Sequence, residues 1–249
     1  MRVLVVLPTY NEAENISALL DRVRTALPSA SILVVDDASP DQTAELAEKE
    51  GERLGQITVM RRPGKSGLGS AYRDGFAWGL AHGFEVMVEM DSDFSHDPDD
   101  LPALIAAVEA GNDLAIGSRY VPGGSIPDWS FSRRLISRGG NVFADVVLGL
   151  HVKDSTAGYR AYRAGLLERV DLRGIRANSY GFQIEMTYRS LQAGGRVTEV
   201  PIKFVDRQLG TSKMSTYTVA EALGLVSYWG LRRLLSALGR IGRGGAVRP

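Results

Sequence analysis

Residues 32–41 read Ile-Leu-Val-Val-Asp-Asp-Ala-Ser-Pro-Asp, an apolar run that changes abruptly into acids, a serine and a proline. Four consecutive aliphatic residues predict a buried strand, Ile32–Val35. Ser39 and Pro40 then provide a cap and a first-turn proline for a helix near residues 40–54. A buried strand that ends in carboxylates and leads into a helix is the repeating unit of an open α/β sheet.

The same unit recurs before and after this stretch. Further strands are predicted at Val3–Leu7, Ile57–Met60, Val86–Met90 and Leu114–Ile116. Helical patterns lie between them, and Asn11 is the expected cap of the first. This alternation predicts one domain with a mostly parallel, Rossmann-like central sheet flanked by helices. A last strand is predicted at 197–205, where Pro201 favours a position at the edge of the sheet.

Polar clusters follow four of the predicted strands. They are Thr9–Glu12, Asp36–Asp41, Asp91–His96 and Gly117–Arg119. The carboxyl ends of parallel strands meet at one edge of a sheet, and ligands of such sheets bind there. The sequence therefore predicts a binding site built from these four clusters.

The acids of these clusters indicate a cation and a nucleotide. Asp91 and Asp93 are hard oxygen ligands at a spacing that suits Mg²⁺ or Mn²⁺ bound to a diphosphate, although an acidic turn looks the same in sequence. Asp36 and Asp37 are candidates to accept hydrogen bonds from a ribose or base, or to cap the next helix. His96, beside the acid pair, is a candidate contact to a ligand or cation.

Basic residues elsewhere are candidate phosphate contacts, with ordinary surface positions as the other interpretation. The candidates are Arg119, Arg133, Arg160, Arg207 and Lys213. Gly64–Gly69 lacks the spacing of both common phosphate-binding loops, so it is either a turn or a backbone contact to phosphate. No G-x-S-x-G elbow of a serine hydrolase is present.

The composition excludes several classes of protein. The 249 residues hold 29 Lys plus Arg and 29 Asp plus Glu, so no net charge points to nucleic acid. The absence of cysteine excludes disulfides, thiol nucleophiles and zinc fingers. No apolar run reaches a membrane-spanning length and the first residues do not look like a signal peptide, which predicts a cytoplasmic protein.

Residues 216–249 form a distinct basic tail. Its apolar residues fall at helical spacing, and few acids accompany its arginines. These residues are Val219, Leu223, Val226, Trp229 (or Gly230), Leu234 and Leu238, with Arg232, Arg233, Arg240 and Arg243. Such a helix suits an anionic membrane surface, and a core-packing C-terminal helix has the same pattern.

The motifs in order resemble a known set. They are Pro8–Glu12, Val35–Asp41, Gly67–Gly69, Met90–Asp93, Gly117–Tyr120 and 206–213. This set is similar to the family 2 inverting glycosyltransferases of the GT-A fold. Three further segments narrow the resemblance to the polyprenol (dolichol) phosphate mannose synthases, namely Ile136–Gly139, Asp154–Arg160 and 207–213. The resemblance covers residues 3–215, which would form the catalytic domain 1–215 ahead of the tail.

The resemblance implies a role for each matching residue. The guanine and ribose of GDP-mannose would be held by Pro8, Tyr10, Glu12, Asp36 and Asp37, with Gly67 also at the donor. Asp91 and Asp93 would hold Mg²⁺ or Mn²⁺. Ser95 stands where some relatives have a glutamine ligand, and its hydroxyl is the expected substitute. The donor diphosphate and the acceptor phosphate would be bound by Arg119, Arg133, Arg207 and Lys213.

The implied reaction is transfer of mannose to a polyprenyl phosphate at a membrane surface, with inversion. A phosphate monoester is largely a dianion at pH 7, so an acceptor of this kind needs positioning by cations more than a general base. The resemblance leaves two alternatives open. One is a UDP-glucose enzyme of the same fold, and the other is a non-catalytic subunit that binds nucleotide sugars. Docking on a separate membrane-embedded partner is a further expectation.

Overall fold

The computed structural model describes residues 1–175, 177, 180–206 and 222–235. Its centre is one seven-stranded sheet with the order β3-β2-β1-β4-β6-β5-β7. The strands are β1 Val3–Thr9, β2 Ser31–Asp36, β3 Ile57–Arg61, β4 Val86–Glu89, β5 Leu114–Ser118, β6 Arg160–Arg163 and β7 Val197–Pro201. The predicted α/β sheet and its five first strands are confirmed.

Helices cover both faces of the sheet. They are α1 Ile16–Ala26, α2 Thr43–Leu54, α3 Leu68–Ala81, α4 Leu101–Glu109, α5 Phe131–Leu148, α6 Ala164–Arg169 and α7 Tyr180–Gln192, followed by α8 at 222–235. Helices α1, α2 and α4 pack on one face, and the other helices pack on the opposite face.

Successive residues of β1 enter the two different cores. Leu4 and Val6 point to the core beneath α3, whereas Val5 and Leu7 point to the core beneath α1. All four side chains are fully buried. A strand covered on both faces reads as a continuous apolar run, which is why β1 and β2 are recognisable in the sequence.

One strand departs from the parallel pattern. β6 runs antiparallel between β4 and β5, while β1–β2, β1–β4, β2–β3 and β5–β7 pair in parallel. The sequence analysis did not predict β6, because its four residues include two arginines. β7 lies at the edge, as Pro201 predicted, but it ends at Pro201 and not at residue 205.

The predicted helix starts are wrong at two positions. α2 begins at Thr43 with Gln42 as its N-cap residue, so neither Ser39 nor Pro40 begins this helix. α1 begins at Ile16 with Asn15 as its N-cap residue, whereas Asn11, the predicted cap, lies in the preceding loop with a positive φ of 58°. α5 begins at Phe131, and the hydroxyl of its N-cap residue Ser130 accepts the N–H of Arg133.

Helix α8 has one face packed on the core and another that presents apolar side chains to solvent. Ala222 and Val226 are buried against the core, and the Trp229 ring stacks on that of Tyr188. Leu231 lies among the large apolar side chains that α8 leaves exposed. Among the described residues, no helix combines the length and the apolarity needed to cross a bilayer.

Several predictions fall outside the described residues. These are Val219, Leu238, Arg240, Arg243 and the boundary between 215 and 216. They stay predictions.

Candidate active site

The polar clusters meet at the carboxyl edge of the sheet, as predicted. Thr9 and Asp36 end β1 and β2 opposite each other, and the Thr9 hydroxyl donates to the Asp36 carboxylate over 2.9 Å. The loop after β4 lies against the end of β1, where Ser92 Oγ donates to the carbonyl of Pro8 over 2.9 Å. These contacts fix the positions of three strand-end loops relative to one another.

Asp36 is a junction between these loops. Its carboxylate is buried and accepts hydrogen bonds from the Thr9 hydroxyl and from both the backbone N–H and the hydroxyl of Ser39. Gln42 is the N-cap residue of α2, so the alternative that Asp36 and Asp37 cap this helix is wrong. The geometry shows that Asp36 positions the loops, and its predicted contact with ribose stays a prediction.

Asp37 forms a buried ion pair that the sequence analysis missed. Arg62 Nη1 lies 2.5 Å from its carboxylate, and both side chains are buried. Arg62 also donates to the hydroxyl of Ser70 and contacts Asp74 over 3.1 Å. Asp37 further accepts a hydrogen bond from the backbone N–H of Ser66. Arg62 thus ties the strand end to the glycine-rich loop and to the start of α3.

The remaining predicted nucleotide contacts lie around this edge. The ammonium of Lys65 sits 4.1 Å above the centre of the Tyr10 ring, a cation–π contact between the first loop and the glycine-rich loop. Gly67 precedes α3 with a φ of 92°, which favours glycine. Glu12 is buried and accepts from Asn15 Nδ2 over 2.9 Å.

The acid pair lies in the loop after β4. Tyr72 donates from its hydroxyl to Asp91 over 3.3 Å. Asp93 is buried, and one of its oxygens accepts from both the N–H and the hydroxyl of Ser95, at 3.0 and 2.6 Å. Ser95 therefore orients Asp93. Its predicted role as a metal ligand stays a prediction.

His96 holds the backbone of the acid pair. Its Nδ1 accepts the N–H of Asp91 over 3.1 Å, and its ring stacks on Tyr159 with centroids 4.8 Å apart. Burial lowers the pKa of His96 to about 4, so the ring is neutral near pH 7 and Nδ1 is an acceptor. Tyr159 in turn donates its hydroxyl to the carbonyl of Asp97 over 2.9 Å.

These residues fit a divalent cation that is shared with a ligand. Within the described ranges no group of three or more His, Cys, Asp or Glu side chains is placed to hold a metal. Mg²⁺ characteristically binds through one or two carboxylates plus substrate phosphates. Asp91 and Asp93 match that donor set, because a bound diphosphate supplies the remaining oxygen ligands.

A buried arginine corrects one prediction. Arg160 is fully buried, and its guanidinium donates to the carbonyls of Ala157, Gln183 and Ser155. It is an interior residue, and its prediction as a phosphate contact is wrong. Burial raises the pKa of the Glu89 carboxyl to about 7, although the positive charge of Arg160 acts in the opposite direction.

Arg119 is held at the end of β5 by a buried carboxylate. Its Nε and Nη2 donate to the two oxygens of Asp154 over 2.7 and 2.6 Å, and Asp154 is completely buried. Two parallel bonds between an arginine and a carboxylate fix the plane of the guanidinium. Nη2 also donates to the Thr156 hydroxyl over 2.8 Å.

Arg133 has a different partner. Its Nη1 lies 2.8 Å from both oxygens of Asp206, and the indole N–H of Trp129 donates to the same carboxylate over 2.8 Å. The guanidinium carbon of Arg133 lies 3.9 Å from the centre of the Trp129 ring. Both members of this ion pair are partly exposed, at 26% and 38%.

Arg119 and Arg133 line one cavity. It encloses about 680 Å³, part of it open to solvent, and lies between α5 and α8. Trp129, Ser137 and Thr156 accompany the arginines at its polar part. The rest of the wall is largely apolar and comprises Ile136, Gly140, Phe143, Ile184, Ala222, Leu223 and Val226.

The cavity is linked to the acid pair by the segment after β7. The Phe204 ring lies edge-on to the rings of both His96 and Trp129, with 5.7 Å between centroids in each case. Arg207 and Lys213 follow this segment and lie outside the described residues. Their predicted phosphate contacts stay predictions.

Comparison with known proteins identifies the class of enzyme to which this strand-end site belongs. The profile of glycosyl transferase family 2 matches residues 4–171. The chain belongs to this family, and the protein is a glycosyltransferase.

Two relatives match nearly the whole chain. The undecaprenyl-phosphate mannosyltransferase of Micrococcus luteus is 50% identical over 93% of this chain and 95% of its own length. The polyprenol monophosphomannose synthase of Mycolicibacterium smegmatis is 49% identical over 93% of this chain and 88% of its own. The predicted resemblance to polyprenol phosphate mannose synthases is confirmed.

Solved structures share the fold at lower identity. Glucosyl-3-phosphoglycerate synthase from Mycobacterium tuberculosis has a TM-score of 0.66 and 20% identity over 90% of this chain and 78% of its own. A mannosyltransferase from Pyrobaculum calidifontis, solved with GDP-Man and Mn²⁺, has a TM-score of 0.57 and 17% identity over 99% and 76%. At this identity they confirm the predicted GT-A fold.

Proposed function

We propose that the protein transfers mannose from GDP-mannose to a polyprenyl (dolichyl-type) monophosphate, giving polyprenyl β-mannosyl phosphate and GDP. The product would serve as a lipid-linked donor for mannosylation of proteins or glycolipids. One observation carries this proposal. An apolar cavity with two arginines at its polar part is linked, through the ring of Phe204, to His96 and the acid pair that His96 supports.

The cavity matches the chemistry of a lipid phosphate. Apolar side chains of α5, α7 and α8 suit an isoprenoid chain, because burying it removes apolar surface from water. Arg119 and Arg133 suit its phosphate, since guanidinium groups bind phosphate through paired hydrogen bonds. The Micrococcus and Mycolicibacterium relatives carry polyprenyl phosphates and mannose in their names, which supports the same substrate class.

Asp91 and Asp93 would hold Mg²⁺ or Mn²⁺ together with the donor diphosphate. When bound there, such an ion would supply positive charge against the charge that develops on the departing diphosphate. Ser95 and His96 keep the carboxylate and backbone of this pair in place. The solved mannosyltransferase with GDP-Man and Mn²⁺ shares the fold and supports this donor and this class of metal.

Attack by a phosphate dianion requires no general base near pH 7. His96 is unsuited to that task, because its Nδ1 already accepts the N–H of Asp91 and burial keeps its pKa at about 4. The residues of the site would instead align the acceptor oxygen with the anomeric carbon. A single displacement of this kind inverts that carbon and gives the β-linked product.

The exposed apolar side chains of α5 and α8 support peripheral binding to the cytoplasmic face of a membrane. Those of α5 are Phe131, Leu135, Ile136, Val142 and Val146, and those of α8 are Leu223, Tyr228, Leu231, Leu234 and Leu235. The lipid cavity lies between the same two helices, so an acceptor embedded in a membrane would reach it from this surface. A membrane-embedded partner is a second candidate for the same surface.

Two alternatives make different predictions. A UDP-glucose enzyme of this fold would transfer glucose to the same lipid, and mannose is favoured by the relatives' names. A non-catalytic subunit would bind a nucleotide sugar without turnover. The hydrogen bonds that hold Asp91 and Asp93 in place favour catalysis, since a binding subunit has no need of an ordered acid pair.

The test is a transfer assay with purified protein in detergent. The protein is given radiolabelled GDP-mannose, polyprenyl phosphate and either Mg²⁺ or Mn²⁺. We expect the label to move into the organic phase, and EDTA to abolish this transfer. Transfer from UDP-glucose alone would reassign the sugar. Binding of GDP without transfer from either donor would indicate the non-catalytic subunit.

A further inference from the structure

The two arginines of the cavity are neutralised in unlike ways. Asp154, the partner of Arg119, is completely buried and also accepts the backbone N–H of Arg119, so it belongs to the framework. Asp206, the partner of Arg133, is 38% exposed and lies just after β7. Of these two carboxylates, only that of Asp206 borders solvent.

Asp206 is bound in the manner of a small anion. Its two oxygens both lie 2.8 Å from Arg133 Nη1, and one of them accepts the indole N–H of Trp129. Arg133 and Trp129 are also lining residues of the lipid cavity. The donors that surround Asp206 are therefore donors that an acceptor phosphate needs.

We propose that the Asp206 carboxylate occupies the acceptor-phosphate position as a resident anion, and that a phosphate monoester must displace it from Arg133 and Trp129 in order to bind. This inference rests on the proposed function, because it assigns the cavity to a phosphate. It makes Asp206 a specificity-determining residue for the head group of the acceptor.

Charge explains the selectivity that this exchange creates. A phosphate monoester carries about −1.5 to −2 at pH 7 and has three acceptor oxygens. A phosphate monoester therefore binds a guanidinium and an indole N–H more strongly than a single carboxylate does, and displaces it. A neutral polyprenol has no charge with which to displace the carboxylate. The cavity then rejects uncharged isoprenoids even though they fit its apolar wall.

Replacing Asp206 with asparagine tests the exchange. Asp206→Asn keeps the size and the acceptor for Trp129 but removes the competing charge. Asp128→Asn is the matched control, because Asp128 is an exposed acid next to Trp129 in the chain, whereas the carboxylate bound by Arg133 and the Trp129 indole is that of Asp206. Binding of farnesyl phosphate, farnesol and inorganic phosphate is measured by calorimetry for the wild type and both variants, and thermal midpoints verify folding.

We expect Asp206→Asn to bind farnesyl phosphate about fivefold more tightly than the wild type. This is the ratio expected when the ligand no longer has to break one partly exposed ion pair in order to bind. Inorganic phosphate should gain similarly, since the gain concerns the head group, and farnesol should not. Asp128→Asn should match the wild type. The KM for the sugar donor should be unchanged in all three proteins.

Equal or weaker binding of farnesyl phosphate by a folded Asp206→Asn variant would overturn the inference, as would an equal gain in Asp128→Asn. Asp206→Ser provides a second neutral variant should asparagine disturb the loop. The proposed function fails separately. In that case the wild type and every variant bind farnesyl phosphate and farnesol alike, and none transfers sugar.

Discussion

The proposed donor edge and the proposed acceptor cavity of this protein differ in how their charged groups are held. At the donor edge, Asp36, Asp37 and Asp93 are buried, and each accepts a hydrogen bond from a backbone N–H, that of Ser39, Ser66 and Ser95 respectively. At the cavity, the Arg133–Asp206 pair is partly exposed and the flanking helices present apolar side chains to solvent. A preorganised polar site suits a nucleotide sugar, whereas a cavity that opens at an apolar surface suits a lipid phosphate that arrives from a membrane.

The largest effect is expected at the acid pair. Asp91→Asn should lower the rate of mannosyl transfer by about a thousandfold, because it removes a ligand of the ion that stabilises the departing diphosphate. The measurement is the transfer rate at saturating donor, with Mn²⁺ binding in the presence of GDP as a second readout. Asp99→Asn is the matched control, because Asp99 is an exposed acid that pairs with Arg22. An Asp91→Asn enzyme at near wild-type rate would contradict the metal assignment.

Breaking the buried Arg119–Asp154 pair should destabilise the fold. Asp154→Asn leaves Arg119 without its charge partner in a buried position, which costs about 3–5 kcal/mol. Asp206→Asn breaks an exposed pair and should cost less than about 1 kcal/mol. Denaturant unfolding of both variants measures the difference. Equal costs would erase the distinction between framework and exchangeable carboxylates.

His96 should act through the backbone of the acid pair. His96→Phe keeps a ring to stack on Tyr159 but loses the acceptor for the Asp91 N–H, and we expect Mn²⁺ affinity to fall about 10- to 100-fold, as for lost supports of metal ligands. His96→Asn places an amide oxygen near the position of Nδ1 and should recover most of that affinity. Equal losses in both variants, with the acceptor KM also raised, would indicate a merely structural role.

The smallest effect concerns the exposed leucines of α8. Replacing Leu231, Leu234 and Leu235 with serine should weaken binding to anionic vesicles by about tenfold, since each side chain contributes buried apolar area at the interface. Flotation with vesicles measures this, and transfer to a detergent-dispersed acceptor should be retained. Substitution of the exposed Leu68, on a different helix, is the control. Unchanged flotation would assign the surface to a protein partner.

The sequence predicted the sheet and the location of the site because both follow from local patterns. Apolar runs that end in Thr9, Asp36 and Asp91 mark buried parallel strands and their carboxyl ends without any tertiary information. The antiparallel strand β6 escaped prediction, because the interior accommodates Arg160 through hydrogen bonds that include one to the carbonyl of Gln183, 23 residues away.

The supporting partners of the site were not predictable in the same way. Arg62 pairs with Asp37 across 25 residues, and Asp206 meets Arg133 across 73. Nothing in the local sequence distinguishes Arg62 from a surface arginine. The predicted start of α2 was wrong for a related reason. Ser39 donates hydrogen bonds to Asp36 at the end of β2 and is therefore not available to cap α2.

The most direct measurement is the pair of KM values of Arg133→Gln in the transfer assay. Arg133 lines the lipid cavity and lies outside the strand-end loops that hold the acid pair. We predict a KM for polyprenyl phosphate about tenfold higher than that of the wild type, the loss of one charged phosphate contact, and an unchanged KM for GDP-mannose. A raised KM for GDP-mannose with an unchanged KM for the lipid would contradict the separation of donor edge and acceptor cavity.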